Sequence, residues 1–252
     1  MEAFGTLFWA AIAPEREVVP IGGGRVHIRE AGDPLQPERE GLEVLDGLKA
    51  ELGSFTFSAQ YQQAPVPPGG ALIQEKWFRR YGRRPAPESG DQIFQSWDIA
   101  SRTGANNDYT VCTTWLQRGN DLYLLHVLRE RFEYPDLLRR VASHWKEYRP
   151  RKVLIEEAGT GIPLIQDLNR NGGFRPEAIR PERDKLVRLD AVTDLIEGGH
   201  VLIPESANWR EEFMAELLAF PNGRHDDQVD SLSQFLAWTK QPRPKVHVGF
   251  GY

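Results

Sequence analysis

Acidic residues fall at three places in the 252-residue chain where hydrophobic runs end or begin. Asp98 sits in the second half of Gln92-Ile93-Phe94-Gln95-Ser96-Trp97-Asp98-Ile99-Ala100, an apolar stretch rich in β-formers and fed by the turn residues Pro87 to Gly90. Such a stretch reads as a buried strand. Glu156 and Glu157 follow Leu154-Ile155, and His225-Asp226-Asp227-Gln228-Val229-Asp230 opens a helical pattern. A carboxylate on a buried strand is costly unless it is paired, hydrogen-bonded or metal-bound. Hard divalent cations take oxygen ligands, chiefly carboxylates. Two such ions about 3.5–4 Å apart can activate water and stabilise the leaving oxygen of a phosphodiester. Three acidic regions meeting at one sheet edge would supply that chemistry. Taken alone, Asp98 is equally well explained by an arginine partner or a turn.

Spacing narrows the set. Adjacent strand residues point to opposite faces, so only one of Glu156 and Glu157 can face the site. On a helix, Asp227 and Asp230 share a face at i, i+3, and Asp226 and Asp230 share one at i, i+4. Asp226 and Asp227 also suit a first helical turn as caps that bind nothing. His225 is a ligand, a proton shuttle or a cap, and stays outside the core set. Lys185 and Arg188, one turn apart, are candidates for DNA-phosphate contacts, with a solvated helix face as the alternative.

The elements that must position these residues can be traced in order. Residues 1 to 36 show no lasting period, and Pro37 to Leu52 predicts a helix through Leu42, Val44, Leu45, Leu48 and Leu52, with Gly53 as its stop. An aromatic patch, Phe55, Phe57 and Tyr61, precedes Gln62-Gln63, and Pro65 to Gly70 is a stiff connector. Lys76 to Tyr81 predicts a short helix at the domain edge. The Asp98 strand leads through a polar loop, Ser101 to Asp108, to strands at Tyr109 to Gln117 and Leu122 to Arg129, an antiparallel meander. A helix over Pro135 to Tyr148 then lets Val153 to Ile155 run parallel to the first strand. Further helices are expected over Thr160 to Asn171, over Lys185 to Glu197 with Asp184 as N-cap, over Trp209 to Phe220, and from Asp226 or Asp227 to Trp238. Ala178-Ile179 and Val201 to Ile203 are short and extended. The expected architecture is an α/β mixed sheet, three antiparallel strands and then parallel crossover strands, flanked by helices. The expected division is a lead-in at 1–70, the compact domain at 71–240 and a loose tail at 241–252.

Composition sets outer bounds. The formal charge of −5 argues against coating nucleic acid through bulk positive charge. It leaves a metal-dependent nuclease open, since metals offset carboxylates. Local basic clusters remain at Arg79-Arg80 with Arg83-Arg84, Arg139-Arg140, Arg149 with Arg151-Lys152, and Arg180 to Arg188. The single cysteine, Cys112, excludes an intrachain disulfide and a cysteine-rich zinc site, fits a reducing compartment, and reads as a core residue, as do Trp97 and Trp145. No apolar run is long enough to span a bilayer, so no membrane role is expected. Gly5 to Ala13 is short and lacks a basic lead, a poor signal peptide.

In combination, several stretches resemble the C-terminal nuclease domain of tailed-bacteriophage terminase large subunits, a ribonuclease-H-like fold. They are Phe57-Ser58-Ala59-Gln60-Tyr61-Gln62-Gln63-Ala64-Pro65, Ser96-Trp97-Asp98-Ile99-Ala100, Asn107-Asp108-Tyr109-Thr110-Val111, Leu154-Ile155-Glu156, Leu164-Ile165-Gln166-Asp167-Leu168, Asp184-Lys185 and His225 to Asp230. The resemblance runs from about Pro37 to Trp238. It implies that Asp98, Glu156 and Asp227 are catalytic and bind two Mg²⁺ or Mn²⁺ ions with Asp230 close by, leaving Glu157, Asp226 and His225 as secondary candidates. The implied activity is endonucleolytic cutting of concatemeric double-stranded DNA during genome packaging, in the host bacterium's cytoplasm. The implied partners are a small terminase subunit, a portal and an ATPase domain that is either separate or lost. The chain has no Gly-x-x-x-x-Gly-Lys-Ser/Thr phosphate loop, since Gly22-Gly23-Gly24-Arg25 lacks the lysine and hydroxyl, so ATP hydrolysis by this chain is not expected. The rival readings are a resolvase or transposase on the same sheet and a non-catalytic module that docks on DNA or a motor.

Overall fold

A computed structural model describes residues 9–52, 54–63, 72–100, 109–180 and 184–241. The predicted connector at 65–70, the 101–108 loop with Asn107-Asp108, the Gly53 stop and the tail beyond 241 lie outside the described residues.

Gly22, Gly23 and Gly24 all adopt positive φ, at 85°, 62° and 73°. They turn the chain between strands β1 (Glu17–Gly22) and β2 (Arg25–Arg29), which pair antiparallel. Sequence reading misses this hairpin, three of whose apolar residues, Val18, Val26 and Ile28, are exposed and add no period that a core would impose. Its anchor is polar instead. The buried Arg29 pairs with Glu17 at 2.8 Å and donates to the carbonyls of Ala10 and Asp33. Helix α1 (Leu42–Leu52) begins later than Pro37, with its first bond from Leu45 N–H to the Gly41 carbonyl. With α2 (Ser54–Gln60) it closes a small cluster of Ala11, Leu45 and Phe57.

Lys76 to Tyr81 is not the predicted helix. A 3₁₀ turn at Glu75–Trp77 ends where Phe78 becomes extended and buried, and strand β3 (Arg79–Tyr81) follows. Three residues gain more by joining a sheet than by extending a short helix with few partners.

The main sheet contains β4 (Gln92–Asp98), β5 (Thr110–Arg118), β6 (Asp121–Glu130), β7 (Lys152–Glu156), β8 (Glu177–Ile179) and β9 (Val201–Pro204), in the order β3-β9-β6-β5-β4-β7-β8. β4, β5 and β6 are the expected antiparallel meander. Helix α3 (Tyr134–Tyr148) carries the chain over so that β7 runs parallel to β4. Alternation along β4 divides the core. Phe94 joins Trp115, Leu154 and Phe235 on one face, while Trp97 joins Cys112, Ile155 and Leu164 on the other.

The second face is covered by α3 and α4 (Gly161–Asn171). The first is covered by α7 (Arg210–Ala219), α8 (Asp227–Lys240) and two short helices, α5 (Lys185–Asp190) and α6 (Thr193–Glu197). The single helix expected over Lys185 to Glu197 is therefore broken. The Thr193 hydroxyl donates to the Asp190 carbonyl at 2.9 Å, a local bond that competes with continued helix. The Asp190 carboxylate meanwhile accepts from the Thr56 hydroxyl. Asp184 is the N-cap as read, accepting from Leu186 N–H at 2.9 Å.

Candidate active site

The carboxyl ends of β4 and β7 bring the first two acids side by side. Trp97 pairs with Ile155 across the parallel ladder, and Asp98 and Glu156 are the next residues on their strands. Asp98 is in step with Phe94 and Ser96, both of which face α8: Phe94 packs on the Phe235 ring at 5.8 Å, and Ser96 bonds to α8 side chains. Glu156 is in step with Leu154, which lies in the same core cluster. Glu157 diverges to pair with Arg180 at 2.6 Å. The loop after Glu156 returns so closely that a Cβ on Gly161 would lie 2.1 Å from the Glu156 carbonyl oxygen. Any larger residue at 161 would displace the Glu156 backbone.

Buried polar bonds fix α8 over this edge. Ser231 Oγ donates to the Ser96 carbonyl at 2.8 Å and accepts from Thr113 N–H at 3.2 Å. Gln234 Nε2 donates to Ser96 Oγ at 2.9 Å and to the Trp97 carbonyl at 3.3 Å. Capping of α8 falls to α7: Glu216 accepts from Gln228 N–H at 2.6 Å and from Gln228 Nε2 at 2.7 Å. Asp226 occupies the N-cap position without a side-chain cap bond. The capping alternative for Asp226 is thus taken over by another residue. Sequence reading passed over Ser231, Gln234, Glu216 and Gly161. The available signal was small and polar residues on the buried face of an otherwise apolar helix.

Two cations on α5 stand among the acids. Lys185 Nζ lies 2.7 Å from Asp226 Oδ1 and 2.6 Å from Asp230 Oδ2. Arg188 reaches Glu156 at 3.2 Å and Asp230 at 2.6 Å. Burial, then the charges of Asp230, Glu156 and Asp227, push the Asp98 carboxyl well above the usual carboxylate range, with Lys185 opposing. Burial also raises Asp230, against its bonds to Lys185 and Arg188. For Lys185, burial works downward, yet the bonds to Asp226 and Asp230 prevail and hold its ammonium above the ordinary lysine value. Asp98 is thus flanked by Asp230, Glu156 and Asp227, while Glu157 is held by Arg180. His225 packs edge-on against Tyr109, with ring centroids 5.6 Å apart, and the Arg129 and Arg131 guanidiniums lie 3.6 Å and 4.1 Å from that tyrosine ring.

Among the described residues, no group of three or more acidic, histidine or cysteine side chains is gathered to hold a metal ion as it stands. The donor chemistry nevertheless suits a hard divalent cation: the set is all carboxylate, and its mutual repulsion calls for added positive charge.

The mixed sheet with helices on both faces defines a ribonuclease-H-like α/β fold. The chain belongs to the Terminase RNaseH-like domain family, whose profile matches residues 95–238. In structure it is similar to the large terminase of a thermophilic bacteriophage in its crystal form 2, with TM-score 0.59 and 11% identity, over 78% of this chain and 51% of that one. The same phage's large terminase in complex with ADP gives TM-score 0.56 and 11% identity, over 77% and 51%. The large terminase nuclease of the thermophilic phage G20c with bound magnesium gives TM-score 0.49 and 18% identity, over 64% and 91%. This chain thus spans about half the length of the first two large terminases. No curated protein matches it. Among the described residues, no helix is long and apolar enough to cross a membrane.

Proposed function

We propose that this chain is a divalent-metal-dependent DNA endonuclease that cuts concatemeric phage DNA during genome packaging. One observation carries the reading: Asp98 and Glu156 adjoin at the ends of parallel strands, and α8, which bears Asp227 and Asp230, is fastened across them through Ser231 and Gln234. Family membership gives that arrangement its context. Asp98, Glu156 and Asp227 would hold two Mg²⁺ or Mn²⁺ ions, with Asp230 completing the set. Bound metal would supply an activated water and stabilise the leaving oxygen. The protein's part is to hold the carboxylates on rigid elements: the β4 and β7 ends for Asp98 and Glu156, and the first turn of α8 for Asp227 and Asp230. Double-stranded DNA would be the substrate, and a small terminase subunit, a portal and an ATPase domain would guide it, in the host cytoplasm.

Plasmid cleavage in Mn²⁺ tests the assignment. Asp98→Asn, Glu156→Ala and Asp227→Ala should each eliminate cleavage, whereas Glu157→Ala and Asp226→Ala should retain part of it, and Asp230→Ala should fall between. Asp98→Asn should melt at or above the wild-type temperature without metal, because it removes repulsion from the cluster. Undiminished cleavage by Asp98→Asn would overturn the two-metal site. Folded wild-type protein with no Mn²⁺-dependent cleavage or thermal stabilisation would favour a docking module.

A further inference from the structure

Lys185 and Arg188 spend their charge inside the protein. Arg188 joins two elements, with Nη1 donating to Glu156 Oε2 at 3.2 Å and Nη2 donating to Asp230 Oδ1 at 2.6 Å. Lys185 takes the other oxygen of Asp230 at 2.6 Å. Both oxygens of this carboxylate are thereby engaged by cations from α5. The Asp230 and Arg188 side chains are only 4% and 16% exposed, so water screens this pair weakly. Lys185 is half exposed and contributes less. One short helix therefore delivers two positive charges into the acids that are proposed to hold metal.

We propose that Lys185 and Arg188 are built-in counter-ions that align the carboxylates in the metal-free protein and compete with divalent metal for Glu156 and Asp230. The inference rests on the nuclease reading above and adds how access to that site is controlled. Metal entry would be an ion exchange with no covalent step: the Arg188 guanidinium would release Glu156 and Asp230, whose carboxylates would then be available to hold the metal. Neither charge is lost. Both remain on α5 at the rim of the site, where the phosphates of a bound strand would need them. The break between α5 and α6 leaves the pair on a six-residue helix of its own.

The test compares wild type, Arg188→Gln and Arg188→Lys in the full chain. Mn²⁺ binding is read by calorimetry and thermal melting is measured with and without Mn²⁺, with Asp98→Asn as the reference for a damaged metal site. Arg188→Gln should melt below wild type without metal, bind Mn²⁺ about tenfold more tightly through loss of a competing charge, and gain more stability from Mn²⁺. Arg188→Lys should return the affinity towards wild type. An ion pair with a purely structural role would lower melting with and without metal and leave Mn²⁺ affinity unchanged. That result, or weaker binding by Arg188→Gln, overturns the proposal and leaves the nuclease reading intact. Absence of Mn²⁺ binding from both wild type and Arg188→Gln overturns the two together.

Discussion

His144 is a buried imidazole on α3, with the Glu147 carboxylate 3.8 Å from its Nδ1 on the side that would favour a charge. Its Nε2 lies 3.3 Å from the Thr114 hydroxyl, and its ring meets those of Trp97, His126 and Tyr148. Burial, with help from His126 and Arg140, pushes its pKa down to about 4. The folded protein therefore binds the proton less readily than the unfolded chain, whose histidine titrates near ~6.5. The resulting stability is present above about pH 6.5 and is lost as pH falls through about 4, amounting to roughly 3 kcal/mol if fully expressed. His126, lowered chiefly by burial, adds in the same direction. Urea denaturation from about pH 7 to about pH 4 should show a shallower loss for His144→Gln than for wild type. Equal slopes would show that His144 accepts its proton without cost. At this scale the sequence was informative where chemistry is local. Asp98 stands out because a charge on an apolar strand needs a reason. The inward pairing of Lys185 and Arg188 was not legible, because spacing within one helix does not reveal what that helix packs against.

Among the elements, α8 has the most to position. It bears Asp227 and Asp230 and is registered on β4 and β5 by Ser231 and Gln234, whose partners are buried main-chain and hydroxyl groups. Ser231→Ala should take a partner from both Thr113 N–H and the Ser96 carbonyl, at a cost of about 1–3 kcal/mol. Chemical denaturation measures that loss, and a change well below that range would mean that the helix is held by its apolar face alone. The meander, the α3 crossover and α8 were readable because their hydrophobic periods are long and unmixed. β3 was not, since it depends on a distant partner, β9, and neither was the α5–α6 break, which rests on one local bond from the Thr193 hydroxyl to the Asp190 carbonyl that a helical hydrophobic period does not reveal. The β1–β2 hairpin escaped for a third reason, its buried anchor being an arginine.

Among the described residues, two large hydrophobic clusters lie on the two faces of the sheet, and a small cluster of Ala11, Leu45 and Phe57 lies apart in the lead-in. If the chain divides near residue 70, a 71–240 fragment should melt cooperatively, somewhat below the full chain because α6 would lose α1 as a neighbour. Circular dichroism and hydrogen exchange would check this, and a fragment without slow-exchanging amides would make the lead-in part of the core. The edge of the large sheet has a consequence for biosynthesis. Arg79, Arg80 and Tyr81 take as their strand partners Leu202, Ile203 and Pro204. Chains are made from the N-terminus, so β3 leaves the ribosome long before β9 exists. A waiting strand is a template for pairing with other nascent chains, and charged side chains are one protection against it. Arg79 and Arg80, exposed in the finished fold, are placed to keep that strand unpaired and soluble until its own partner arrives.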